Sequence, residues 1–182
     1  MQLFIGYLSK MQKWTNLSYA NVATTSPKAH EIATEWAESL ARGGAAEFDA
    51  DAEKNGMIPL RTATSKLLQC PISDIWVSSS ATEILCSLAW AISPKEGKNI
   101  VSTKASFPST VYPWKRVSEE FGAEIRLAQH DENYYTKPED VFGLIDKNTA
   151  VVTISHVEYA CGQRYDLNSF AEAAHDVGAL FI

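Results

Sequence analysis

Short apolar runs alternate with longer amphipathic stretches from about residue 74 onward. The runs are rich in β-branched residues and are bounded by turn-forming ones, a pattern that predicts strands. The predicted strands cover residues 74–78, 98–102, 123–128, 149–155 and 179–182. Because strands that alternate with helices pair in parallel, we expect an α/β fold with a mostly parallel sheet flanked by helices.

The stretches between these strands predict helices. Their expected bounds are residues 81–92, 109–121, 136–145 and 167–177. The first helix is mostly apolar and is therefore expected to be buried. The spacing of Thr136 and Glu139 fits a capping box at the start of the third. Gly122 and Gly178 follow the second and fourth, where glycine adopts the left-handed turn past a helix end.

The first 70 residues are different in kind, since they contain no run of alternating strands and helices. Ser26 as N-cap and Pro27 at the first helical position predict a helix to about residue 42. A second helix is expected over residues 58–68, and the small, acidic stretch between them is expected to be loop with at most a short helical turn. We therefore divide the chain into an N-terminal helical segment, residues 1–70, and an α/β part, residues 71–182.

Composition and charge exclude several classes of function. The chain has 182 residues, of which 46% are hydrophobic, and this is enough to bury a core of ordinary size. A formal net charge of −6 and the absence of Lys/Arg clusters argue against nucleic acid as a partner. No window approaches the ~20 apolar residues that span a bilayer. The sequence thus predicts a cytoplasmic protein without a nucleic-acid or membrane partner.

Motifs for several common sites are absent from the sequence. Cys70, Cys86 and Cys161 are scattered and form neither a CxxC pair nor a disulfide framework, so we expect small core residues. No metal-ligand pattern is assigned. No GxGxxG or GxxxxGK[ST] follows a predicted strand, which argues against a nucleotide-binding Rossmann domain.

Small hydroxyl residues separate the strand predicted at residues 74–78 from the helix that follows it. Unpaired N–H groups at a helix start, the positive end of the helix dipole and the hydroxyl of Thr82 favour a bound phosphate dianion. The spacing of Ser80 and Glu83 equally fits a capping box, which needs no ligand. Both interpretations remain open from spacing alone.

The segment Ser80-Ala81-Thr82-Glu83 is similar to the Gly-Ala-Thr-Glu segment of cysteine desulfurases and related class V aminotransferases. These are pyridoxal-phosphate enzymes of fold type I, in which the segment holds the phosphate of the cofactor. The resemblance implies that Ser80, Ala81 and Thr82 bind pyridoxal phosphate here.

Residues 105–109, followed by Tyr-Pro-Trp at 112–114, resemble the family segment whose aromatic or histidine ring stacks on the cofactor. Phe107 stands where many desulfurases carry histidine, and Phe-Pro-Ser is closer to kynureninase-like relatives. An aromatic ring can cover the face of a planar cofactor, whereas the alternative is a buried loop phenylalanine. The resemblance implies that Phe107 contacts the cofactor.

Residues 152–162 follow the family's strand-then-loop pattern, in which a polar residue reaches the 3-hydroxyl side of the cofactor. The resemblance assigns this role to His156, with Ser155 as a second candidate, although a histidine at a strand end can be purely structural. Residues 19–27 resemble the opening segment of the family, which lies near the substrate. Residues 166–182 resemble the stretch that leads into the family's cofactor-binding aspartate.

The resemblance implies part of a pyridoxal-phosphate transferase large domain with three αβα layers. The complete protein would be a homodimer acting on a small amino acid by desulfurase, lyase or transaminase chemistry. None of the lysines has the setting of the family's cofactor-binding lysine, and the chain stops inside an apolar strand. We therefore expect a truncated chain that is inactive alone. The alternative is a catalytically dead or split relative that serves as an interaction module.

Overall fold

The computed structural model describes residues 17, 19, 22–46 and 48–182. The chain divides into two compact units, Met1–Val77 and Ser78–Ile182. The described part of the first unit is helical, whereas the second contains the sheet. The functional division into residues 1–70 and 71–182 stays a prediction.

The helices of the first unit follow their sequence signals. Helix α1 (Pro27–Gly43) begins at Ser26, whose Oγ accepts a hydrogen bond from the N–H of Ala29 at 3.2 Å, as predicted. Helix α3 (Ile58–Leu68) has the predicted bounds. Between them lie a 3₁₀ turn (Gly44–Ala46) and helix α2 (Ala50–Asn55), where loop with at most a short helical turn was expected. Asp49 caps α2 through a 2.8 Å hydrogen bond from the N–H of Ala52.

The strand predicted over residues 74–78 does not form. A 3₁₀ turn (Ile72–Asp74) occupies its start, and the backbone of Ile75 is extended, with φ −97° and ψ 118°. A strand needs a neighbouring strand to accept and donate its backbone hydrogen bonds, and none of the described strands pairs with these residues. The apolar pattern was therefore correct for extended backbone and wrong for a sheet strand.

The second unit is built on a four-stranded parallel sheet. Strands β1 (Asn99–Thr103), β2 (Glu124–Ala128), β3 (Thr149–Val152) and β4 (Leu180–Phe181) lie in the order β2-β1-β3-β4. Every pairing is parallel, which confirms the predicted α/β fold. All five residues of β1 are buried, as expected for an inner strand of a sheet covered on both faces.

Strand β3 ends earlier than predicted, although its backbone stays tied to its neighbours. The N–H of Thr153 donates to the carbonyl of Val101 at 3.0 Å. The N–H of Ile154 donates to the carbonyl of Ile182, also at 3.0 Å. The chain therefore leaves the sheet gradually, and residues 153–155 approach its end in a fixed position.

Four helices accompany the sheet: α4 (Ala81–Ile92), α5 (Pro108–Phe121), α6 (Pro138–Phe142) and α7 (Leu167–Asp176). The capping box predicted at Thr136 is wrong, because α6 begins after Lys137 without a side-chain cap. Thr136 is instead buried, and its backbone N–H and carbonyl bond the side-chain amide of Gln163 at 2.9 and 2.6 Å.

The expectation that α4 is buried is also wrong. Only Ala89 of this helix is buried, and Trp90 is 48% exposed. One face of α4 packs against α5, while its remaining apolar surface is uncovered within the second unit. An apolar sequence indicates that a helix is suited to burial, but it does not show which other element will cover it.

Two apolar clusters lie on opposite faces of the sheet. Adjacent residues of β1, Ile100 and Val101, belong to different clusters, because successive side chains of a strand point to opposite faces. The first cluster centres on Phe170 of α7 and the second on Trp114 of α5. This arrangement gives the helix–sheet–helix layers that the sequence predicted.

The three cysteines do not all lie in the core. Cys161 is exposed, whereas Cys70 and Cys86 are half-buried, so the assignment of all three to the core is wrong.

In the part of the chain that the structure describes, no helix is long and apolar enough to cross a membrane.

A polar network fixes the amino ends of the strands. Arg126 of β2 pairs with Glu124 at 2.8 Å and with Asp146 at 2.7 Å. Asp146 also accepts hydrogen bonds from the side chain of Asn99 and from the N–H of Asn148. The hydrogen bond from Arg126, followed by that from Asn148, lowers the pKa of Asp146 to about 2.

We expect Phe170→Ala to lower the free energy of unfolding by about 3–5 kcal/mol, because it removes a ring that contacts Phe142 and Tyr165 in the core. Denaturant unfolding followed by tryptophan fluorescence would measure the loss. Tyr112→Ala truncates an exposed aromatic residue and should cost less than about 1 kcal/mol. Equal losses would contradict the assigned core.

We expect Asp146→Asn to be less stable than the wild type at neutral pH. A lowered pKa means that the ionised carboxylate stabilises the fold above pH 3.8 and that this contribution is lost as pH falls through about 2. The variant should therefore show a shallower loss of stability in this acidic range, measured as the urea midpoint against pH. Asp176→Asn, at an exposed position in the last turn of α7, is the control.

Candidate functional site

The carboxyl ends of β1 and β3 meet at one edge of the sheet, because the two strands are parallel neighbours. The Phe107 loop (residues 104–107) follows β1, and residues 153–159 follow β3. In open α/β sheets, ligands bind in the crevice beyond these strand ends. Side-chain contacts connect both loops and the first turns of α4 and α5, and together they form the candidate site.

The first turn of α4 forms half of the expected capping box. The Oγ of Ser80 accepts a hydrogen bond from the N–H of Glu83 at 3.2 Å. The Glu83 carboxylate instead accepts two hydrogen bonds from Ser79. The backbone N–H donates one at 3.1 Å, and the side-chain hydroxyl donates the other at 2.6 Å. Hydrogen bonds from Ser78 and Ser79 hold the pKa of Glu83 below its usual value.

This arrangement leaves donors at the start of α4. The N–H groups of Ala81 and Thr82 have no carbonyl partner within the helix, since they belong to its first turn. The Ser80 hydroxyl acts as an acceptor for its cap and can still donate its own hydrogen. A helix cap and an anion site are therefore compatible interpretations of this segment, because they use different hydrogen atoms.

The first turns of α4 and α5 are joined by a hydrogen bond between hydroxyl groups. The oxygens of Thr82 and Ser109 are 2.8 Å apart, and either can be the donor. Only one hydrogen lies in this bond, so the other hydroxyl keeps a hydrogen to donate. Ser109 was not selected from the sequence, because its proximity to Thr82 depends on how the two helices pack.

The ring of Phe107 lies against the ring of Tyr159. The ring centroids are 5.1 Å apart and the planes are perpendicular. Phe107 is 50% exposed, so the alternative of a buried loop phenylalanine is wrong. An edge-to-face contact leaves much of a ring face uncovered, and such a face can stack on a planar ligand.

Ser155 and His156 differ in what they contact. The oxygens of Ser155 and Thr110 are 3.5 Å apart, which places Ser155 beside the first turn of α5. His156 is exposed, and its carbonyl accepts a hydrogen bond from the N–H of Tyr165. Among the described residues no hydrogen-bond partner contacts its ring, which lies at the same edge. The opening segment at residues 19–27 belongs to the other unit, and Ala20 and Asn21 lie outside the described residues.

Glu158 is a buried acid at this edge that sequence reasoning missed. It is 1% exposed, and its Oε1 accepts hydrogen bonds from Thr103 at 3.0 Å and from Ser106 at 2.8 Å. Burial raises the pKa of Glu158, while the two hydroxyl groups oppose this effect. A glutamate in a polar loop is normally solvated, so no local pattern indicated its burial.

Tyr165 is a second buried polar residue near this point. Burial raises the pKa of Tyr165 to about 12, and the Glu158 carboxyl group contributes in the same direction. The side chain is 3% exposed and packs against Phe170 in the core. Glu158 and Tyr165 are therefore two buried groups near each other, and loss of solvation raises the pKa of both.

Comparison with known proteins identifies a family that this sequence matches. The sequence model of the family described as aminotransferase class-V matches residues 8–182. A probable cysteine desulfurase from Methanothermobacter thermautotrophicus is 24% identical over 174 residues, which are 90% of this chain and 42% of that protein. A kynureninase from Pseudomonas fluorescens is 30% identical over 89 residues, or 48% of this chain and 20% of that protein.

Solved structures agree on the fold. The cystine C-S lyase C-DES, in complex with its reaction product cysteine persulfide, matches with a TM-score of 0.74 and 17% identity over 87% of this chain and 42% of that chain. The cysteine desulfurase CsdA from Escherichia coli matches with a TM-score of 0.62 and 17% identity, over 89% and 37% of the two chains. This chain therefore spans less than half the length of these relatives.

We expect Glu158→Gln to change how stability depends on pH. Because burial raises the pKa of Glu158 above 4.5, its protonated form stabilises the fold fully below pH 4.5. This contribution is lost as pH rises through the raised pKa. The wild type should lose stability relative to the variant over that range, measured as the urea midpoint at each pH. Parallel curves would refute this, and Glu172→Gln at an exposed site is the control.

Proposed function

The chain belongs to the class-V aminotransferase family, and from this premise we propose that the protein is a pyridoxal-phosphate-dependent enzyme acting on a small amino acid. The observation that carries the proposal is the convergence of an anion-binding helix start with an exposed aromatic ring. The Thr82 hydroxyl is bonded to Ser109, two residues beyond Phe107. The phosphate and the ring of one cofactor could therefore be held by adjacent parts of the chain.

The donors at the starts of α4 and α5 fit a phosphate dianion. Thr82 and Ser109 offer a hydroxyl hydrogen between them, Ser80 offers another, and Ala81 and Thr82 offer backbone N–H groups. The dipole of α4 adds a favourable potential for negative charge at this point. Glu83 does not occupy these donors, because its carboxylate is bonded to Ser79.

The remaining candidates fit the planar part of the cofactor. The open face of Phe107 would cover one side of the pyridine ring and exclude water from it. Ser155, beside Thr110, and the exposed ring of His156 lie at the same strand end, where they would hydrogen-bond the 3-hydroxyl side. When bound, pyridoxal phosphate supplies an electron sink for the bonds around the α-carbon of an amino acid.

The names of the relatives support one class of reaction more than another. They are cysteine desulfurases, a cystine C-S lyase and kynureninases, so we propose lyase or desulfurase chemistry before transamination. The residues described here would bind and orient the cofactor. The chain spans less than half of its relatives, and the assignment of substrate and reaction to the whole protein is part of the proposal.

We also propose that the whole protein is a homodimer in the cytoplasm. A groove of about 330 Å³ between α4 and α5 is lined by exposed apolar side chains, including Trp90 and Tyr112. Apolar surface of this kind is commonly covered by another chain or domain. Sedimentation of the protein expressed from its complete reading frame would test the state of assembly.

We expect Thr82→Val to weaken binding of pyridoxal phosphate by roughly 10- to 100-fold, since a hydrogen bond to a charged group contributes about 1.5–3 kcal/mol. Spectrophotometric titration of the protein expressed from its complete reading frame would measure this change. Affinity for pyridoxal, which lacks the phosphate, should be nearly unchanged. Thr62→Val makes the same chemical change on α3 and is the control.

Two other outcomes of this titration are informative. If pyridoxal phosphate binds and Thr82→Val has no effect, the phosphate site lies elsewhere. If the wild type does not bind pyridoxal phosphate at all, the proposed function is wrong. The alternative of a catalytically dead relative that serves as an interaction module would then be favoured.

A further inference from the structure

We propose that Glu158 is a positioning residue, whose buried carboxylate fixes the Phe107 loop and thereby orients the Phe107 ring at the candidate site. The inference rests on the proposed function in one respect, since that function provides the cofactor that the Phe107 ring would cover. It concerns contacts within this chain, and it can be tested without any ligand.

The carboxylate of Glu158 holds both ends of the turn that leads to Phe107. Its Oε1 accepts hydrogen bonds from Thr103, the last residue of β1, and from Ser106, which directly precedes Phe107. The two hydroxyl oxygens are themselves 3.0 Å apart. One oxygen atom therefore joins the end of a buried strand to the residue before the exposed ring.

Glu158 can act in this way because its own backbone is fixed. It lies in the Glu158 loop (residues 156–165), which is closed by the antiparallel bridge between Val157 and Arg164. The N–H of Glu158 donates to the carbonyl of Gln163 at 2.9 Å, and the carbonyl of Glu158 accepts from the N–H of Gly162 at 2.8 Å.

Gln163 connects this loop to the rest of the second unit. Its side-chain amide makes two hydrogen bonds with the backbone of Thr136, which is fully buried. The carboxylate of Glu158 thus projects from a closed loop whose backbone is anchored outside the Phe107 loop.

Two adjacent residues of the Glu158 loop contact two adjacent residues of the Phe107 loop. Glu158 bonds Ser106 on the buried side, and Tyr159 packs against Phe107 on the exposed side. Tyr159 is 64% exposed and is only weakly confined by its surroundings. The buried carboxylate is consequently the contact that defines where the pair of rings lies.

Core packing alone does not account for a carboxylate at this point. Oε2 of Glu158 is buried and has no hydrogen-bond partner among the described residues, which is unfavourable. An apolar side chain of similar size would avoid this cost but could not accept from two hydroxyl groups. The geometry therefore favours a role in orientation over a role in stability.

The test measures the nuclear Overhauser effect between the ring protons of Phe107 and Tyr159 in the ligand-free protein. The wild type and Glu158→Gln, which keeps the Oε1 acceptor, should both show it. Glu158→Ala should lose most of it. Ser106→Ala, a milder change that removes one donor, should weaken it in the same direction.

Val141→Ala is the matched control, because Val141 is fully buried in the same core cluster as Tyr165 but takes no part in the hydrogen bonds that join the two loops. It should lower thermal stability and keep the Overhauser effect. The inference is overturned if Glu158→Ala retains the full effect. It is equally overturned if Val141→Ala loses the effect to the same extent.

Titration with pyridoxal phosphate provides the second measurement. Glu158→Ala should weaken binding about tenfold in the wild-type background and have no further effect in a Phe107→Leu background, because the two residues act through one ring. Additive losses would overturn the inference while leaving the proposed function intact. If the wild type does not bind the cofactor but the Overhauser effects follow expectation, only the proposed function fails.

Discussion

The parallel pairing of β1 with β3 determines where the two loops of the candidate site lie. Parallel neighbours end at the same edge, so the loops after β1 and β3 meet there without any long-range signal in the sequence. The helices that follow or precede these loops begin at that edge, with their N–H groups directed towards it. An aromatic ring and a buried acid are thus brought together by the direction of the strands, and the contact between Thr82 and Ser109 adds the hydroxyl groups of α4.

The start of α4 shows how one short segment can meet two requirements. Ser80 stabilises the helix as its N-cap, while the Glu83 carboxylate that could have neutralised the helix start is held by Ser79. The first-turn N–H groups and the Thr82 hydroxyl remain oriented for an anion. The residues that form the helix cap can therefore also take part in the proposed phosphate site, because the Glu83 side chain is directed to Ser79.

Periodicity predicted most of the elements, because helices and strands are local. The bounds of α3 and α4 agree with prediction, and β1 and β2 lie within one residue of it. Three of the failures share one cause, since each depended on a partner. Residues 74–78 have no neighbouring strand among the described residues, and part of the apolar surface of α4 is uncovered within its unit. Thr136 pairs with Gln163 instead of capping α6. Ser109 and Glu158 were missed for the same reason, because their partners are 27 and 52–55 residues away.

The exposure of Cys161 makes the Glu158 loop accessible to chemical labelling. The thiol of Cys161 donates a 3.3 Å hydrogen bond to the carbonyl of Tyr134. Cys70 and Cys86 are half-buried, so their thiols should react more slowly with a labelling reagent. A fluorophore or spin label attached at Cys161 would sit three residues from Glu158 without a mutation to introduce the thiol. The chain thus contains its own attachment point for a probe that would report on motion of this loop.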